Sequence, residues 1–81
     1  MGFALPTYGL YSMRRYKIAR SVGKKMRIAR RLAGMTQEEV AYKAVIHIST
    51  LGRIERGESN PPIQTVNKIA QVLRIKPKDL F

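Results

Sequence analysis

Between Gly34 and Pro62 the chain punctuates itself so closely that only two short helices fit, and this constrains the fold more than any other feature. Thr36 followed three residues later by Glu39 makes a capping box: the hydroxyl accepts from an unpaired first-turn N–H, while the carboxylate reaches back to the Thr36 amide. A helix therefore starts at Gln37. Val40, Ala41 and Ala44 line one narrow apolar face, whose small residues let a second helix cross closely. Leu51 and Ile54 supply that partner, repeating the i, i+3 spacing after a break around Val45 to His47. Gly57 ends the second helix with a residue at ease in the left-handed region. Asn60-Pro61-Pro62 opens the next helix, with the second Pro suited to its first turn. Two helices of roughly two to three turns on so short a connection must cross steeply rather than run side by side.

The flanking segments read as helical too. Residues 22–33 predict a first core helix with Val22, Met26, Ala29 and Ala33 on one face and Gly34 as its stop. Ile28 and Leu32 form a second stripe off that face, to be covered either by Tyr11, Tyr16 or Ile18 of the preceding segment or by another subunit. Residues 62–73 predict a further helix with Ile63, Val66, Ile69, Ala70 and Leu73 inward, and Pro77 begins a last short one leading to Leu80 and Phe81. Residues 1–21 stand apart as an extension, apolar and turn-prone at first and basic at its end, either helical from Ser12 onward or disordered. No strand pattern competes.

With 81 residues the chain makes one small domain, able to bury about 60% of its unfolded surface. The absence of Cys removes disulfides, thiolate metal sites and thiol catalysis, and points weakly to the cytoplasm. The opening MGFALPTYGLYSM lacks the basic start of a secretory signal, and nothing reads as membrane-spanning. Sixteen basic against five acidic residues leave a net charge of +11, a strong field toward polyanions. Its distribution is more telling. Residues 1–37 carry nine basic side chains and no acid, whereas solvated helix faces usually interleave signs. One His, five scattered acids and no Gly-rich phosphate loop assemble no nucleophile, acid–base pair or metal cluster, so neither an enzyme nor a cofactor is expected.

The order and spacing of several segments resemble the phage repressor and Cro type of helix-turn-helix domain, the XRE family. They are Val22-Gly23-Lys24 with Arg27 and Arg30, Gly34-Met35-Thr36-Gln37-Glu38-Glu39-Val40-Ala41, Arg53-Ile54-Glu55-Arg56-Gly57, Asn60-Pro61, Lys68-Ile69-Ala70 and Asp79-Leu80-Phe81. The resemblance covers residues 22–81 and implies an all-α, five-helix repressor-like domain carrying a basic N-terminal extension. It implies a sequence-specific transcriptional regulator, a repressor or operon controller, that binds double-stranded DNA as a homodimer on a palindromic operator. The setting stays open among a phage repressor, a restriction–modification controller and an antitoxin. The alternative is an antitoxin or bridging adaptor that uses the same fold to hold a toxin or the transcription machinery.

The same resemblance implies individual roles. Base-reading positions are Ile48, Ser49, Gly52 and Arg53 on the second motif helix. Arg53 can present a fork to guanine O6 and N7, Ser49 discriminates weakly, and Ile48 either touches a thymine methyl or packs. Gly52 reads nothing, but its cost within a helix suggests a close approach on that side, by the DNA unless the glycine is there by neutral drift. Phosphate-contacting positions are Gln37, Thr50, Arg56 and Asn60, joined by Lys24 and Arg27 of the basic cluster and by His47. Glu58 is unfavourable to phosphate and should point away. Arg30 and Glu55 match a structural ion pair, and Ile75, Leu80 and Phe81 a dimer surface. The chain departs from the pattern at the turn, where Val45 replaces a common Gly and His47 a usual Ser or Thr cap. Either that turn takes another shape or the strain is tolerated.

Overall fold

The structure, a computed structural model, describes residues 4–81, with side chains from residue 17 onward. Four α-helices follow one another: α1 (Ala4–Leu32), α2 (Gln37–Ala44), α3 (Ile48–Glu55) and α4 (Ile63–Leu73). Pro77–Leu80 adds a single 3₁₀ turn, and no strand occurs among the described residues. The expected fifth helix is thus no α-helix. Its amides bond three residues back, Asp79 to Lys76 and Phe81 to Lys78, the tighter pattern of short pieces.

The start of the chain also departs from expectation. Instead of a core helix beginning at residue 22, α1 runs unbroken through the junction at residue 21. The physical reason is the lack of any stop signal between Gly9 and Gly34: the Ala, Arg, Lys, Met and Leu of this stretch favour helix, and Gly23 only weakens it. A continuous helix cannot fold Ile18 back over Ile28, because ten residues separate them by about 15 Å along the axis. Ile18, Ile28 and Leu32 are all exposed, at 55%, 47% and 83%. Tyr11 and Tyr16, also expected to cover this stripe, have side chains outside the described residues.

The helix ends follow the local chemistry. Thr36 accepts from the Glu39 amide and Glu39 from the Thr36 amide, both at 3.1 Å. Gly34 and Gly57 take positive φ after α1 and α3, as does Val45 after α2 (φ 56°). Pro62 caps α4 from outside, one residue earlier than the first-turn place expected of it.

The core gathers Val22 and Met26 of α1, Val40, Ala41 and Ala44 of α2, Leu51 and Ile54 of α3, the Val66–Leu73 face of α4, and Leu80. Met26, Leu51, Ile54, Ile69 and Leu80 are fully buried, each contributing roughly 1.5–3 kcal/mol by removal from water. Two expected core positions differ. Ala33 lies exposed in the turn just after α1, and Ile63, at the open N-terminus of α4, is 56% exposed.

Candidate nucleic-acid interface

The segment that positions the site is the steep α2–turn–α3 corner. Val45 holds the left-handed conformation there with 82% of its surface exposed, so the turn keeps its usual shape and β-branched Val bears the steric cost. His47 then stands at the N-cap of α3 without a side-chain cap bond. Helical periodicity splits α3 in two. Leu51, Ile54 and Glu55 are buried, while Ile48, Ser49, Thr50 and Arg53 face outward with His47 before them.

Two devices fix the angle at which α3 stands. The first is close backbone contact: a Cβ on Gly23 would lie 2.1 Å from the Ile54 carbonyl oxygen, so only glycine lets α1 touch the end of α3. Sequence reasoning used Gly23 only as part of a motif, although an unforced glycine inside a helical run is itself a signal of close approach.

The second device is the buried carboxylate of Glu55, whose side chain has no exposed surface. Arg30 donates to it twice, from Nε at 2.7 Å and Nη2 at 2.9 Å, and its Nη1 reaches the Met35 carbonyl at 2.9 Å. Gln37 adds a bond from Nε2 at 3.0 Å, and Arg27 approaches at 3.5 Å. The expected Arg30–Glu55 pair is therefore present and larger than expected, joining α1, α2 and α3. Burial works to raise the Glu55 carboxyl, but the hydrogen bonds from Arg30 and Gln37 and the charges of Arg30 and Arg27 outweigh it and hold the group below the usual carboxylate range. The Arg30 guanidinium is shifted upward, chiefly by its bond to Glu55.

This arrangement redistributes the other site residues named from sequence. Gln37 and Arg27 turn toward Glu55, although Arg27 keeps 38% of its side chain exposed. Lys24, Thr50 and Asn60 are exposed. Gly52 is buried rather than open, covered by the guanidinium of Arg56, so the close approach seen there is made by that side chain where DNA was expected. Arg56 is ion-paired with Glu58. The expected dimer surface is incomplete: Leu80 is fully buried in its own core, Ile75 is half-buried, and Phe81 is 57% exposed, its main-chain oxygen bonded to Lys25 Nζ at 2.6 Å. Among the described residues no group of His, Asp or Glu could hold a metal, and no helix is long and apolar enough to cross a membrane.

Residues 26–80 match the helix-turn-helix family HTH_3, a span that holds the whole α2–α3 corner and the core beneath it. The chain belongs to that family. Among its relatives, an uncharacterised HTH-type transcriptional regulator of Archaeoglobus fulgidus is 42% identical over 48 residues, covering 59% of this chain and 69% of that protein. Control protein C.BamHI of Bacillus amyloliquefaciens is 36% identical over 49 residues, 60% of each chain. The helix-turn-helix fold superimposes with a TM-score of 0.76 on the restriction-modification controller protein C.AhdI from Aeromonas hydrophila, at 32% identity over 78% of this chain and 96% of that one.

Proposed function

We infer that this protein is a DNA-binding transcriptional regulator that places α3 in the major groove. The observation that carries the reading is the division of α3. Its inner half is locked by Glu55 and Gly23, while Ile48, Ser49 and Arg53 are exposed on the other side. A major groove about 12 Å wide admits such a helix, and Arg53 is the side chain able to select guanine. Lys24, His47, Thr50 and Asn60 flank α3 and hold the backbone of the duplex, with Arg27 and Gln37 shaping the site from behind.

A single module makes a small interface, so the protein works as a homodimer on a two-fold symmetric operator. Ile75 and Phe81 are the residues of the expected contact that keep surface for it. Of the three settings, likeness to the restriction-modification controller protein C.AhdI favours control of a restriction–modification operon.

The test is enrichment of bound duplexes from a random pool, followed by footprinting of the DNA upstream of the protein's own gene. A palindromic motif recovered in both supports the reading; equal retention of every duplex refutes it. Affinity should also fall steeply with salt as phosphate contacts release counterions, and a flat response counts against the electrostatic part.

A further inference from the structure

Ser49, Gly52 and Arg53 of α3 and Arg56 at its C-cap fall at i, i+3, i+4 and i+7, so they follow one side of the helix. Gly52 contributes no side chain to that row. The space is filled from below: a Cβ on Gly52 would lie 3.0 Å from Arg56 Nη1 and 3.8 Å from its Cζ, so the guanidinium lies folded back across the bare turn. This is the direction in which helical side chains lean. Glu58 grips the same group from behind, with Nε bonded to one carboxylate oxygen and Nη2 facing the other at 3.4 Å.

The geometry divides the donors. A guanidinium carries five N–H groups. Engagement through Nε and Nη2 leaves both protons of Nη1 and one of Nη2, an end-on fork of the kind that pairs with guanine O6 and N7. The pair is solvent-exposed and so adds little to stability, which leaves orientation as its consequence. A carboxylate beside a phosphate would be repelled, whereas one behind the guanidinium fixes where the fork points.

We propose that Arg56, at the C-cap of α3, laid across Gly52 and buttressed by Glu58, is a second base-reading residue that selects a guanine, rather than a phosphate contact. The proposal rests on the DNA-reading function above. It is tested by enriching duplexes from a random pool with the wild-type protein and with Arg56→Lys, Glu58→Ala and Gly52→Ala. Arg56→Lys keeps the charge and loses the fork. Gly52→Ala places a methyl where only the flexible end of Arg56 must move, so the fold survives with an equal or higher melting midpoint.

The expected result is loss of preference at one G·C pair of the recognised site, by roughly 5- to 150-fold in Arg56→Lys. Glu58→Ala and Gly52→Ala lose part of it at the same pair, and other positions do not change. Full preference retained by Arg56→Lys, or an even weakening across all positions, overturns the proposal. If the wild type enriches a motif, such a failure belongs to Arg56 alone. If the wild type enriches none, the DNA-reading function falls and this inference with it.

Discussion

Replacing Glu55 by Ala tests the joint that orients α3. The change removes a carboxylate with no exposed surface and leaves the Arg30 guanidinium, whose side chain is 11% exposed, without its counter-charge. Breaking a buried pair from one side costs about 3–5 kcal/mol. Gln37 is half-buried and can turn to water, which keeps the cost toward the lower end. An 81-residue domain has about 4–12 kcal/mol of stability in all, so even about 3 kcal/mol is a large part of it. The melting midpoint should fall by at least about 12 °C, at about 4–8 °C per kcal/mol for a domain of this size.

The double variant Arg30→Met/Glu55→Leu removes both charges and should recover most of the loss, since apolar replacement of an entire buried pair is close to neutral. Acidity provides a second readout. Because the folded carboxyl sits below its unfolded range, the pair's contribution is complete above about pH 4.3 and disappears as pH falls through the folded value. Wild type should therefore lose stability on acidification below that point more steeply than Glu55→Ala. Calorimetry across pH measures both effects. An unchanged midpoint for Glu55→Ala, or a double variant no better than the single one, would refute the reasoning.

Gly23→Ala should lower the midpoint by an amount equivalent to about 1–3 kcal/mol despite the better helix propensity of Ala, because the methyl meets a backbone carbonyl that cannot turn aside; chemical denaturation measures it, and a gain in stability would remove the close crossing. Val45→Asn should raise stability by up to about 1 kcal/mol, since Asn tolerates the left-handed region and the exposed Val gives up little packing; a lower midpoint would show that Val45 is not strained. Arg53→Ala should lose preference at one base pair while Lys24→Ala weakens all sequences alike and reduces the salt slope by about 1, and binding titrations on matched and mismatched duplexes separate the two.

What could be read from the chain follows the range of each signal. The α2 boundaries were legible because capping is decided within four residues, by Thr36 and Glu39. At Val45 family resemblance marked the position but left another turn shape and tolerated strain both open, and only the backbone, with φ 56°, decides for strain. The Arg30–Glu55 pair became visible through family resemblance, as no local rule links residues 25 apart. The third partner of Glu55 did not. Gln37 sits at a helix start, where its type equally suits a phosphate, and only packing turns it inward. Leu80 was misplaced for a similar reason: an apolar residue near the chain end looks the same whether it docks on its own core or on a partner. The length of α1 was missed by trusting the edge of the family match over the absence of any helix stop.

The two halves of α3 have a consequence for how such a protein can change. Its exposed residues Ile48, Ser49 and Arg53 lie outside the buried core, so under the DNA-reading function proposed above substitutions there can retarget the protein to new operators at little risk to folding. Selection is free to explore specificity through those three letters, while Glu55 and Gly23 keep the scaffold constant beneath them.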